Sequence, residues 1–162
     1  SEVSFNELSR TLQIDKATVE NYITLLEKAF VIFRLNPLSR NLRNEINTSR
    51  KIYFYDNGIR NAIINNFNPI ALRTDIGALW ENFLVSERVK KNKYERNFTK
   101  SYFWRNHAQQ EIDYIEEADG KISAFEFKWN PKSKVKFSKA FLEAYLPKTT
   151  QVISKENFHE FL

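Results

Sequence analysis

The chain has 162 residues, no cysteine, two histidines and a net charge of +5 at pH 7. Without cysteine it can have neither a disulfide framework nor a thiolate zinc site, and two histidines are too few for an imidazole cluster, so any metal needs oxygen ligands. Its hydrophobic content of 42% supports a folded core. No apolar run approaches the ~20 residues of a membrane span. We therefore expect a cytoplasmic protein without membrane association, and the absence of methionine indicates a fragment of a longer chain.

The positive charge is concentrated in one segment. Between Lys121 and Lys139 the chain carries six lysines and a single acidic residue, Glu126. Such a segment suits a polyanion, and we predict that Lys132, Lys134 and Lys136 contact nucleic acid, specifically DNA. The alternative is a solvated lysine surface without a partner.

The first part of the chain has the outline of a winged helix-turn-helix. Ser4 with Glu7 forms a predicted capping box for a short helix, and Asp15 caps a second helix. Two predicted strands follow, at residues 31–35 and 51–56. Two helices joined by a tight turn and followed by a strand pair are the elements of that fold.

Residues 1–56, the predicted winged helix, carry mixed signals for DNA binding. Glu20 and Glu27 on the exposed side of the second helix oppose phosphate, so that helix suits base recognition poorly. The loop between the strands carries four basic residues that suit phosphate better: Arg40, Arg43, Arg50 and Lys51. A packing or partner-binding role for this unit remains the alternative.

The second part, residues 57–162, has a different order of elements. A long amphipathic helix begins at Thr74 or Asp75 and is followed by three strands, a helix, a strand and a closing helix. Asp119 and Gly120 form a hairpin turn between the second and third of these strands. The helical crossover that follows makes the last strand parallel to a hairpin strand. The whole chain is thus predicted to be of the α+β or α/β class.

Acidic and basic side chains converge in this hairpin. Asp113 and Glu126 are predicted to face the same side near one end, with Lys128 one step further along. Two carboxylates can hold Mg²⁺ or Mn²⁺, with Glu81 of the long helix as a third ligand. Lys128 is then placed to position water or to stabilise charge on phosphorus. The alternative is a half-exposed sheet with a Glu126–Lys128 salt bridge, worth only about 0.2–1 kcal/mol.

Glu81, the "EID" of Asp113 and the "EFK" of Glu126 and Lys128 resemble the signature of the PD-(D/E)XK nuclease-like fold. That fold has the same helix, three strands, helix, strand core. The proline usual before its first catalytic aspartate is Ile112 in this chain.

A narrower resemblance covers most of the chain. The segments "KIYFYDNGIRNAI", "GALWENFLVSE", "YFWRNHAQQEIDYI" and "AFEFKW" look like the C-terminal domain of unknown function that follows the ATPase module in many bacterial and archaeal AAA-type ATPases. The resemblance implies a winged helix leading into a restriction-endonuclease-like domain, with Glu81, Asp113, Glu126 and Lys128 as the catalytic set. The resemblance also implies a nucleotide-binding module outside this chain, which itself has no Gly-rich phosphate loop and is expected to hydrolyse no ATP by itself.

Three functions remain open from the sequence. The first is a metal-dependent phosphodiesterase or endonuclease acting on DNA. The second is a non-catalytic nucleic-acid-binding module that positions the ATPase, since the superfamily includes members that bind without cutting. The third is a protein-interaction module, including self-association into a homo-oligomer. Trp104 and Tyr114 beside the site are either base-stacking residues or core aromatics, and the core is favoured.

Overall fold

A mixed seven-stranded sheet organises the residues described by the computed structural model, which are 2–40 and 49–162. The strands lie in the spatial order β1-β3-β2-β4-β5-β6-β7. In chain order the elements are β1 (Glu2–Val3), α1 (Phe5–Leu12), α2 (Lys16–Lys28), β2 (Ile32–Pro37), β3 (Arg50–Phe54), α3 (Asn57–Ile63), a 3-10 helix (Ile70–Leu72), α4 (Ile76–Tyr94), β4 (Lys100–Arg105), β5 (Glu111–Ala118), β6 (Lys121–Phe127), α5 (Lys139–Tyr145), β7 (Thr149–Ile153) and α6 (Phe158–Phe161). The prediction of a mixed helix and strand class is confirmed.

The first two helices begin where the sequence predicts, although only one of them is capped as expected. Asp15 accepts a hydrogen bond from the Thr18 backbone N–H at 2.9 Å and caps α2. Ser4 occupies the N-cap position of α1 but makes no side-chain capping hydrogen bond, so that half of the predicted capping box is wrong. Gln13, with φ of 55°, ends α1 in the left-handed region.

The strand pair that follows these helices joins the main sheet. β2 and β3 pair antiparallel, with Phe33 opposite Tyr53. β2 also runs parallel to β4, where Asn36 lies opposite Tyr102. As a result β3 lies in the same sheet as the strands of the predicted site, and α4 packs against it.

The order of elements predicted for the second part is confirmed from α4 to β7. β5 and β6 form a hairpin whose turn contains Asp119 and Gly120, with φ values of 50° and 71° that allow the tight reversal. β7 runs parallel to β6, as the crossover predicts. β6 ends at Phe127, so Lys128 lies just beyond the strand.

Two hydrophobic clusters cover the sheet. The first packs Leu84 and Val85 of α4 and Phe161 of α6 against the strands. The second packs Phe141 and Tyr145 of α5 against them. Trp104 and Tyr114 are both buried in these clusters, which confirms them as core aromatics.

The surface of the N-terminal helices carries exposed apolar side chains. α2 buries Val19, but Tyr22, Leu25 and Phe30 are 60%, 59% and 70% exposed. Exposed apolar groups this close together are unusual on a folded monomer and mark a candidate contact surface. None of the described helices is long and apolar enough to cross a membrane.

Candidate functional site

The four residues that the sequence assigns to the site come together at one end of the β5–β6 hairpin. Glu81 comes from α4, Asp113 from β5, Glu126 from β6, and Lys128 from the residue after the end of β6. Two further charged residues complete the group, which we call the acid–lysine cluster: Glu81, Glu111, Asp113, Glu126, Lys51 and Lys128.

Asp113 and Glu126 meet at the end of the β5–β6 hairpin. Tyr114 pairs with Phe125 at the end of the regular ladder, beside an irregularity in the β4–β5 pairing, and Asp113 and Glu126 are the residues just beyond that pair. The Nζ of Lys128 is 3.2 Å from Glu126 Oε2 and 3.8 Å from Asp113 Oδ2. The Phe127 backbone N–H donates to Asp113 Oδ2 at 2.9 Å and fixes that carboxylate.

The Glu126–Lys128 ion pair expected from a plain half-exposed sheet is present, but its surroundings differ. The side chains of Glu126 and Asp113 are only 11% and 15% exposed, whereas Lys128 is 36% exposed. Two largely buried carboxylates therefore share one accessible ammonium group. A solvated surface ion pair would have two exposed partners screened by water, and this pair does not.

A second lysine, which sequence reasoning placed elsewhere, lies on the other side of Asp113. Lys51 Nζ is 3.0 Å from Glu81 Oε1 and 3.8 Å from Asp113 Oδ1, and it also pairs with Glu111. Its side chain is 4% exposed. The predicted strand at residues 51–56 is present as β3, but the prediction that Lys51 contacts phosphate is wrong, because β3 places its ammonium against the carboxylates of Glu81, Glu111 and Asp113. The signal in the sequence is the alternation of "KIYFY", which places Lys51 on the same strand face as Tyr53.

Tyr53 completes the Glu81 side of the cluster. Its hydroxyl donates to Glu81 Oε1 at 2.6 Å. The same oxygen also accepts from Lys51. Glu81 is thus held by two protein donors, and its sequence-based assignment as a metal ligand stays a prediction.

Charge is balanced unevenly across the cluster. Burial, followed by the neighbouring Asp113 carboxylate, raises the pKa of Glu126 to about 8 although Lys128 opposes the shift. Burial and the Glu81 carboxylate also raise the pKa of Asp113. Burial acts in the same direction on Glu81, but Lys51 and the Tyr53 hydroxyl outweigh it and lower its pKa. Burial thus outweighs Lys128 at Glu126 and Asp113, whereas Lys51 and Tyr53 outweigh burial at Glu81.

The carboxylates of Asp113 and Glu126 suit a hydrated divalent cation. Among residues 2–40 and 49–162 no three acidic, histidine or cysteine side chains form a ready metal cage. Mg²⁺ is often bound by only one or two carboxylates and keeps several waters. The pair of Asp113 and Glu126 is of that kind.

The basic residues predicted to contact nucleic acid differ in their exposure and in their ion pairs. Lys132, Lys134 and Lys136 are exposed in the segment between β6 and α5, and they form no ion pair within the part of the chain that the structure describes. Arg40 is half-exposed, and its guanidinium pairs with Glu117 and lies 5.9 Å from the centre of the Tyr145 ring. Arg43 lies outside the described residues.

The raised pKa of Glu126 predicts a pH-dependent stability of the metal-free protein. Between the ordinary value of 4.5 and about 8, the folded state keeps a proton that the unfolded state releases, so the free energy of unfolding falls as pH rises through this window. Glu126→Gln removes this component. In urea unfolding with a chelator, we expect the free energy of unfolding of the variant to rise relative to that of the wild type from about pH 5 to about pH 8.5. The rise is at most about 1.4 kcal/mol per pH unit. Parallel pH profiles would contradict the shift, and the exposed Glu143→Gln serves as the control.

Comparison with known proteins identifies two families along the chain. Residues 76–160 match the domain of unknown function DUF4143, a C-terminal domain type associated with AAA-type ATPases, and residues 1–69 match the domain of unknown function DUF8612. Uncharacterized proteins of Mycobacterium bovis and Mycobacterium tuberculosis are each 28% identical over 127 residues, which covers 75% of this chain and 27% of theirs. The chain thus spans about a quarter of the length of these curated relatives. No solved structure matches it.

Proposed function

We propose that this chain, which belongs to the DUF4143 family, is a DNA-directed module with a metal-dependent nuclease-like site. In this proposal Asp113 and Glu126 hold Mg²⁺ or Mn²⁺, and Lys128 acts beside them. The observation that carries it is the pair of largely buried carboxylates, at the end of the β5–β6 hairpin, that share one accessible ammonium group.

Three residues of the cluster, Asp113, Glu126 and Lys128, have distinct roles in the proposed reaction. A bound cation supplies Lewis-acid stabilisation of charge on a phosphate group. Asp113 and Glu126 supply its protein ligands, and the Phe127 N–H keeps Asp113 oriented. Lys128, whose ammonium is the more accessible of the two in the cluster, would position a water molecule or stabilise the charge that develops on phosphorus.

The fold and the family support placing this site in a larger enzyme. The helix, three strands, helix, strand order and the parallel β6–β7 pair agree with the PD-(D/E)XK nuclease-like core, and α1, α2, β2 and β3 agree with a winged helix. We further propose that the chain is the C-terminal region of a cytoplasmic AAA-type ATPase. The domain type and the greater length of the relatives support this.

Cleavage of DNA is the direct test of the proposed activity. Linear, single-stranded and branched DNA are incubated with the chain in Mg²⁺ or Mn²⁺, beside the Asp113→Ala variant. Metal-dependent cleavage that is lost in the variant is the expected result. Absence of cleavage at protein concentrations that bind DNA would overturn the enzymatic part of the proposal and leave a binding module.

The exposed lysines after β6 predict how DNA binding depends on salt. Replacing Lys132, Lys134 and Lys136 together by glutamine removes up to three phosphate contacts. The logarithm of the DNA association constant falls linearly with the logarithm of the salt concentration. The slope should become shallower by about 2–3, since each phosphate contact contributes about 0.7–0.9. Fluorescence anisotropy at several salt concentrations measures this. Lys91→Gln, whose lysine pairs with Glu95 near the end of α4, is the control, and an unchanged slope in the triple variant would place the DNA elsewhere.

The exposed apolar side chains on and just after α2 favour one alternative, a protein-interaction or self-association module. Tyr22, Leu25 and Phe30 offer an apolar surface to a partner. Analytical ultracentrifugation with and without DNA separates the alternatives. Concentration-dependent self-association without DNA affinity favours the interaction module, whereas a monomer that shifts on DNA counts against it.

A further inference from the structure

Lys51 is the most deeply buried charged group of the acid–lysine cluster. Its side chain is 4% exposed, and its ammonium lies within 4 Å of the carboxylates of Glu81, Glu111 and Asp113. Lysine is almost never fully buried unless it is paired. The lysine comes from β3 in the N-terminal part of the chain, whereas its partners come from α4 and β5.

The two lysines of the cluster differ in how firmly they are held. Lys128 is 36% exposed and contacts two carboxylates, and it extends from a residue beyond the end of β6. Lys51 contacts three carboxylates from within a strand, with the Phe103 ring 5.5 Å from its ammonium. An incoming cation can therefore displace Lys128 into solvent, but Lys51 has no comparable exit.

Asp113 lies between the two ammonium groups. Its Oδ1 faces Lys51 at 3.8 Å, and its Oδ2 faces Lys128 at 3.8 Å. Glu81 Oε1 already accepts hydrogen bonds from Lys51 and from the Tyr53 hydroxyl. A second divalent cation on the Glu81 side would meet the ammonium of Lys51 at close range, and like charges repel strongly where water is excluded.

We propose that Lys51 is a built-in cation that takes the place of a second metal ion, so that the site binds a single divalent cation between Asp113 and Glu126. This inference rests on the proposed function. It makes Lys51 a positioning residue that orients Glu81 and Asp113, and it removes Glu81 from the metal ligands. It also makes the site dependent on β3, because the charge that completes it comes from that strand.

Titration with Mn²⁺, followed by calorimetry and by electron paramagnetic resonance of free Mn²⁺, tests the inference without any activity assay. The wild type is expected to bind one Mn²⁺. Glu81→Gln is expected to bind it with an affinity within about threefold of the wild type, because Glu81 contributes no ligand, whereas Asp113→Asn removes a carboxylate ligand and should weaken binding at least about tenfold. Two Mn²⁺ ions in the wild type, or a tenfold loss in Glu81→Gln, would overturn the inference while leaving the proposed metal site intact. No binding by the wild type would instead overturn the proposed function itself.

Lys51→Met supplies a second readout. Without metal, loss of the buried ammonium leaves Glu81 without its cationic partner and takes one of the two ammonium groups from Asp113, and the melting temperature should fall by about 10 °C. Mn²⁺ should restore much of this loss and bind with a stoichiometry of two. A variant that binds only one Mn²⁺ and is stabilised no more than the wild type would contradict the role of Lys51. Lys139→Met, at an exposed surface pair with Glu143, is the matched control. If Lys51→Met does not fold, the Glu81→Gln titration decides.

Discussion

Replacing Lys128 by alanine or Glu126 by glutamine is expected to lower the rate of metal-dependent DNA cleavage by at least about 10²-fold, because each change removes a group that acts at the reacting phosphate. Glu126→Gln keeps the size of the side chain but takes one anionic ligand from the cation. Lys128→Ala leaves the carboxylate pair but removes the accessible ammonium 3.2 Å from Glu126. Neither change touches the exposed lysines that follow, so DNA affinity should stay within about threefold of the wild type.

Single-turnover cleavage and anisotropy binding, measured on the same DNA, separate these two effects. Lys91→Ala, which removes a lysine of the surface pair with Glu95, provides the matched loss of one positive charge and should retain wild-type rates. If both site variants cleave as fast as the wild type, the cluster has no part in catalysis. If DNA binding falls together with cleavage, the cluster is a docking site rather than a reaction centre.

The second large effect concerns stability. Glu116→Gln is expected to lower the free energy of unfolding by about 3–5 kcal/mol, since it leaves the largely buried Arg88 without its counter-charge. Glu116 accepts from Arg88 Nε at 2.8 Å and Nη2 at 2.7 Å, from Asn92 at 2.7 Å and from the Tyr114 hydroxyl at 3.2 Å. This network ties α4 to β5, the two elements that carry Glu81 and Asp113.

Urea unfolding monitored by tryptophan fluorescence measures the loss, and the neighbouring Glu117 supplies a matched control. Glu117 pairs with the half-exposed Arg40, so Glu117→Gln should cost less than about 1 kcal/mol. Similar losses in the two variants would show that the buried network contributes no more than a surface pair.

The part of the site formed by local pairing could be predicted from the sequence. Asp113 and Glu126 meet because a two-residue turn at Asp119 and Gly120 pairs β5 with β6 as far as Tyr114 and Phe125, and Lys128 follows directly after β6. These relations depend on residues close together in the chain. The same holds for the element order of the second part.

Lys51 could not be assigned in the same way. Its contacts with Glu81 and Asp113 depend on β2 pairing with β4, a parallel contact between distant segments that no local pattern specifies. The alternation in "KIYFY" shows which face Lys51 shares with Tyr53 but not what that face meets. The charge of Lys51 therefore led to the prediction of a phosphate contact, whereas its buried position depends on how the sheet is assembled.

At the start of α4, two arginines compete with the helix N-terminus for the carboxylate of Asp75. The sequence predicts Thr74 or Asp75 as the cap, and Asp75 does occupy the N-cap position, but its side chain makes no capping hydrogen bond. It accepts instead from Arg73 Nε and Arg60 Nη1, each at 2.8 Å. Hydrogen bonds from charged donors are stronger than a bond from a backbone N–H, so the arginines prevail.

Diffraction from a crystal soaked in Mn²⁺, with data collected at the manganese edge, tests the central claim most directly. One anomalous peak within coordination distance of both Asp113 and Glu126, with Lys128 turned away and Lys51 still against Glu81, is the predicted result. A peak bound through Glu81, or no peak at this pair under conditions that support cleavage, would contradict the assignment of the metal site.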